Sequence, residues 1–259
     1  MELIDYIEGN QAIKAIYGTN FTTSHKNQIL KMEFGFGKNN YIDMNFHICE
    51  YPQNLQFLKK YPIESNFYKI NFVFGGIVYL NNKNFFLNED TDFHLNGDGE
   101  VLSFIFKNTG ELLVNCRKAT CRNILPYSTK PFYKKIKRFD RLDSLQNIPN
   151  IHRDNEYLSL QISILYIEIL IEFSELLIAL NIEGQIMHLL VEGYSFDSFF
   201  ESLDNNQGEF IINSLHKSEH KIKFTSKDGS NSCIIKCKDI FYDFDIDYHY
   251  NRRIYNIYN

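Results

Sequence analysis

Tryptophan is absent from the 259 residues, although 23 Phe and 17 Tyr raise the aromatics to 15%. A surplus of positive charge is also missing. The formal net charge is -5 and the isoelectric point about 5.9, which argues against a general nucleic-acid binder. The N-terminus, MELIDYIEGN, shows neither a basic n-region nor a small-residue cleavage site, so no secretory signal is expected. Cysteine is sparse and odd in number: Cys49, Cys116, Cys121, Cys233 and Cys237. Without a signal, that pattern favours reduced, buried thiols in a cytoplasm over a disulfide framework. No long apolar run is free of charge either. The longest, Leu158 to Ile182, contains Glu168, Glu172 and Glu175. Each carboxylate at membrane depth would cost about 2.5–3.5 kcal/mol, so no membrane partner or span is expected. Walker A, G-x-G-x-x-G and G-x-S-x-G patterns are all lacking, as is a repeat of fixed period.

What is present describes a globular chain. Hydrophobic residues reach 44% and charged residues 23%, which excludes wholesale disorder. The length allows one large domain or two ordinary ones. Residues 2–17 carry Leu3, Ile7, Ile13 and Ile16 at helical spacing, with Gly9-Asn10 as a weak point and Gly18 as a stop. Strands are expected next. Residues 28–36 and 41–49 place Met32, Phe34 and Phe36, then Ile42, Met44, Phe46 and Ile48, at every second position around Gly37-Lys38-Asn39-Asn40. That is a hairpin pattern. Further strands are expected at 67–80, 85–87, 93–95, 101–106, 112–116 and 121–125, with a turn at 81–84. Residues 128–152 read as a basic connector with Lys130, Lys134, Lys135, Lys137, Arg138 and Arg141, interleaved with Phe132, Tyr133 and Phe139. A solvated helix face accounts for that mixture.

The second half is expected to hold one long buried helix. Leu158, Ile162, Leu165, Ile169, Phe173, Leu176 and Leu180 step by three and four, and the three glutamates form one polar stripe. The alternation of Leu158, Leu160, Ile162 and Ile164 leaves helix or strand open for residues 155–165. A short helix capped by Ser195 is expected to run to Leu203. Strands follow at 210–212 and 222–224, and then over 233–250. The fold class is accordingly α+β: two β-rich units of meander or sandwich type, residues 1–127 and 153–259, with the long helix in the second.

Several chemical motifs compete for attention. Gly229-Ser230 precedes Asp243-Phe244-Asp245 by a dozen residues, resembling the Gly-Ser and Asp-x-Asp parts of polymerase-β-like nucleotidyltransferases. Two carboxylates on one strand face could hold Mg²⁺ there. That superfamily needs a helix between the parts and a third carboxylate strand, and only fourteen residues follow Asp245. His216-Lys217-Ser218-Glu219-His220 has the spacing of inverted zincins but lies among strands, with no Glu after it. The cysteine pairs lack C-x2-C spacing. No metal, cofactor or catalytic residue is therefore assigned.

Over residues 240–250, Asp243, Asp245, Asp247 and His249 fall on one strand face, with Tyr248 and Tyr250 on the other. Carboxylates two positions apart lie roughly 6.5–7 Å from one another and repel, so an opposing cation would relieve the repulsion. Tyrosines beside them can anchor an interface. These six residues are the candidate partner-binding set.

The stretch from Gly18 to Asn54, GTNFTTSHKNQILKMEFGFGKNNYIDMNFHICEYPQN, resembles the opening of bacterial immunity domains of the Immunity protein 50 type. Phe21 and His25, the strand Ile29–Phe36, the turn Lys38–Asn40, the strand Tyr41–Cys49 and Pro52 carry the likeness. Leu112–Tyr127 is loosely similar to the end of such a domain. Lys26-Asn27 stands where those domains have Asp-Ala, and their tryptophans are missing. The resemblance implies a cytoplasmic, non-enzymatic protein that binds and neutralises a cognate toxin. An acidic face suits a basic toxin. The other functional classes weighed are a metal-dependent nucleotidyltransferase or nuclease using Asp243 and Asp245, and a structural or ligand-binding β domain.

Overall fold

The computed structural model of the chain describes residues 3–17, 27–48, 68–83, 91–96, 100–126, 140–141, 152–153, 157–170, 174–213 and 219–244. Of these, 73% lie in strands and 6% are helical, with one short α-helix. The protein is mostly β, and the α+β expectation with a long helix is overturned. Among the described residues no helix is long and apolar enough to cross a membrane. The chain divides into two compact units. One comprises Met1–Ile136, Glu168–Ser174 and Phe199–Asn205; the other comprises Lys137–Ile167, Glu175–Ser198 and Asn206–Asn259.

The first unit opens with a 3-10 turn, Leu3–Tyr6, then β1 (Ile7–Glu8) and α1 (Gln11–Tyr17). The helix expected over 2–17 is thus divided at Gly9-Asn10. Gly9 takes φ +76°, a backbone state open to glycine and hostile to a continuing right-handed helix. The strands are β2 (Gln28–Gly35), β3 (Tyr41–Ile48), β4 (Tyr68–Lys83), β5 (Asp92–Asn96), β6 (Leu102–Lys107) and β7 (Glu111–Pro126). They pair antiparallel in the order β2–β3–β4–β7–β6–β5, and β1 adds to β7 in parallel. The hairpin of β2 and β3 forms where the alternation placed it. β4 does not turn at 81–84: it continues to Lys83, opposite Glu111 of β7. Residues 112–125 likewise form one strand rather than two. β4 and β7 pair along their lengths, with two register shifts, irregularities at which a strand bends and its local twist increases.

One face of this sheet is an aromatic core. Phe34, Phe46, Phe72, Phe74, Phe104 and Phe106 are all essentially inaccessible. Phe74 and Phe104 meet at 4.8 Å between ring centroids, and Phe46 stacks on Phe106 at 5.8 Å. Such pairs add about 0.5–1.5 kcal/mol each beyond area burial. With these six phenylalanines and Phe200 buried, this unit needs no tryptophan to fill its interior.

The second unit holds β8 (Asp140–Arg141), β9 (His152–Arg153), β10 (Tyr157–Leu170, whose last three residues belong to the first unit), β11 (Glu175–Ile182) and β12 (Gln185–Glu192). It continues with β13 (Ser195–Ser198), β14 (Gln207–Asn213), β15 (His220–Ser226), β16 (Ser232–Cys237) and β17 (Asp239–Asp243). Two antiparallel series run β9–β10–β14–β15–β16–β13 and β11–β12–β17–β8. Most of the basic connector lies outside the described residues, but Asp140 and Arg141 are strand partners of Tyr242 and Phe241.

The segment expected as a long helix is β10 and β11. Leu158, Leu160, Ile162 and Ile164 are all buried, so the two-residue period is the real one. From Tyr166 to Ile169, and again from Leu176 to Leu180, every residue is buried. A strand covered on both faces reads as a continuous apolar run, and such a run contains any period one seeks in it. Glu183 and Gly184 close β11 onto β12 with φ of 49° and 93°, as a two-residue hairpin turn demands. The helix expected from Ser195 to Leu203 is also replaced. β13 covers Ser195–Ser198, and the residues after it are irregular. The single strand expected over 233–250 breaks at Lys238, whose amide donates to the Glu192 carbonyl at 3.0 Å. Buried positions are odd-numbered before the break (Cys233, Ile235, Cys237) and even-numbered after it (Ile240).

Candidate functional site

The register of β11, β12 and β17 assembles a charged face in the second unit. Glu175 stands opposite Glu192, and Glu192 stands opposite Asp239. Two residues further along, Leu177, Leu190 and Phe241 align; beyond them, Ala179, His188 and Asp243 align. Directly opposed residues of antiparallel strands share a face, as do alternate residues of one strand. The face therefore has three carboxylates in a transverse row, an apolar centre, and Asp243 beside His188 at the far end. None of these positions is Lys or Arg.

Burial is graded across it. Leu177, Ala179 and His188 are buried, and the His188 ring lies 6.2 Å from that of Tyr166. Glu175, Glu192, Asp239, Leu190, Phe241 and Asp243 are half-buried. Neighbouring Cβ atoms in such a row are about 4.5–5.5 Å apart, and like charges directly opposite destabilise a sheet. Among the described residues none of Glu175, Glu192 and Asp239 has an ion-pair partner. Burial pushes the Glu175 carboxyl above its ordinary value, and the Glu192 charge adds to the rise. The row is thus an acidic strip whose repulsion its described neighbours leave unrelieved.

Of the six residues singled out from sequence, Asp243 is described, at the end of β17. Asp245, Asp247, Tyr248, His249 and Tyr250 lie outside the described residues. Gly229-Ser230 sits in the tight turn between β15 and β16, where the Asp228 carboxylate accepts hydrogen bonds from the Ser230 amide (3.1 Å), the Ser230 hydroxyl (2.8 Å) and the Ser226 hydroxyl (2.7 Å). Strands β16 and β17 join that turn to Asp243, in place of the helix found in nucleotidyltransferases. His220 opens β15, so its stretch is strand at that point, and His216 lies outside the described residues. Among the described residues no group of three or more His, Cys, Asp or Glu is placed to hold a metal ion. Cys116, Cys121, Cys233 and Cys237 are free and buried. Desolvation pushes Cys121 up to about 11, and Cys116 and Cys237 to about 12. Neutral thiols of that kind are poor nucleophiles.

A second charged cluster lies on the polar face of the first unit. Lys31 Nζ is 2.7 Å from Glu168 Oε1 and 3.2 Å from Glu33 Oε2. The Tyr41 hydroxyl donates to Glu33 Oε1 at 2.6 Å. Asn71 Nδ2 donates to Asp43 Oδ1, and Arg122 Nη1 lies 3.3 Å from Asp43 Oδ2. Burial raises the Asp43 carboxyl, against the pull of Lys31, and burial with the adjacent Glu33 charge raises the Tyr41 phenol. This cluster has its counter-charges built in, unlike the row in the second unit.

Neither cluster is visible in the sequence alone. Glu175, Glu192 and Asp239 become a row only once the Glu183-Gly184 turn is recognised. That dipeptide, set midway between two apolar runs, was the available signal. Comparison with protein-family models, curated proteins and solved structures gives no match.

Proposed function

We propose that this is a cytoplasmic, non-enzymatic interaction protein of the immunity or antitoxin kind, which binds and neutralises a cationic toxin through the acidic face of β11, β12 and β17. The observation that carries this reading is the row Glu175–Glu192–Asp239, aligned in register without an ion-pair partner among the described residues. A cationic side chain docked against it offsets the mutual repulsion. The same arrangement steers a positively charged partner during encounter and rejects acidic competitors. Half-buried Leu190 and Phe241 supply an apolar centre beside the row, the usual anatomy of an interface. Asp243 extends the acidic character along β17, and Asp245, Asp247, Tyr248, His249 and Tyr250 follow it in sequence as further contacts. The likeness of residues 18–54 to Immunity protein 50 domains supports the immunity assignment within this class; Phe21, His25 and Pro52, which carry part of it, lie outside the described residues.

The test is protection in cells. Products of the genes neighbouring this one are expressed singly to find one that arrests growth, then co-expressed with the intact chain. Restored growth is expected, and weaker restoration with the E175Q/E192Q/D239N variant. A chain that leaves every such arrest in place overturns the immunity reading.

A further inference from the structure

We draw no further inference here: the strongest candidate, the half-buried cluster of Lys31, Glu33, Tyr41, Asp43 and Glu168 on the polar face of the first unit's sheet, is a set of carboxylates held by its own neighbours, and nothing in the structure points to a ligand for it.

Discussion

Glu175 faces Glu192 directly across the β11–β12 hairpin, and both carboxylates are half-buried. Opposed like charges of this kind cost a sheet about 0.2–1 kcal/mol. Replacing Glu192 with Gln should therefore stabilise the protein at neutral pH by an amount in that range, read as a higher midpoint in urea or heat. The gain depends on pH in a definite direction. Glu175 titrates above its ordinary value when folded. Below the ordinary glutamate range it is neutral in both states and its penalty is absent. Stability is then lost as pH rises from that range through the folded value. The advantage of Glu192→Gln should vanish in acid and open as pH rises through this window.

Lys31 and Glu168 form the opposite case. Their contact is 2.7 Å, with side-chain exposures of 18% and 3%. Breaking a buried pair by removing one partner costs about 3–5 kcal/mol. Lys31→Met should fall near the low end, because the lysine keeps some solvent access. Combining Lys31→Met with Glu168→Leu should recover part of the loss, because Glu33 and Asp43 still lack the lysine charge. Urea unfolding of the two single variants and the double variant measures the coupling.

The hairpin turn can be probed on its own. Gly184 has φ 93° and Glu183 φ 49°. Gly184→Val should cost about 1–2 kcal/mol, the penalty for a side chain in left-handed backbone. Glu183→Gly should be neutral or mildly stabilising. Far-UV circular dichroism of the intact chain should show strand with little helix. A strongly helical spectrum would contradict the assignment of β10 and β11.

Thiol chemistry offers another check. In a Cys49→Ser variant the remaining thiols are the four buried ones. With Cys121 raised to about 11, only about a thousandth of it is thiolate at pH 8. Alkylation of the folded protein should be negligible over hours and complete in denaturant. Rapid native labelling at any of the four would show that its strand opens.

How much of this was legible in the sequence depended on whether one face of a strand met water. β3 alternates cleanly and β2 does so from Lys31 to Phe34, since Met32, Phe34, Ile42 and Met44 face the core while Lys31, Glu33, Asp43 and Asn45 face the polar side. Their hairpin was readable to within a residue. β11 has no such contrast: Leu176 through Leu180 are buried regardless of direction, so periodicity carried no information and a helix fitted equally well. Glu168 strengthened the error. By spacing it is one member of a polar helical stripe, yet it is buried and paired with a lysine 137 positions earlier in the chain. Local pattern cannot report a counter-charge that distant. The candidate face suffered for the same reason. Sequence alternation shows acidic character along one strand near Asp243, whereas the described carboxylates align across three.

The most direct test of the acidic face is the affinity of the intact chain for the growth-arresting partner, measured by calorimetry at several salt concentrations with wild type and E175Q/E192Q/D239N. Removing repelling charges should leave the triple variant at least as stable as wild type, so unfolding cannot account for a loss. The account predicts at least tenfold weaker binding, about 1.4 kcal/mol, and a flatter salt dependence. Wild-type affinity with an unchanged salt slope would contradict it.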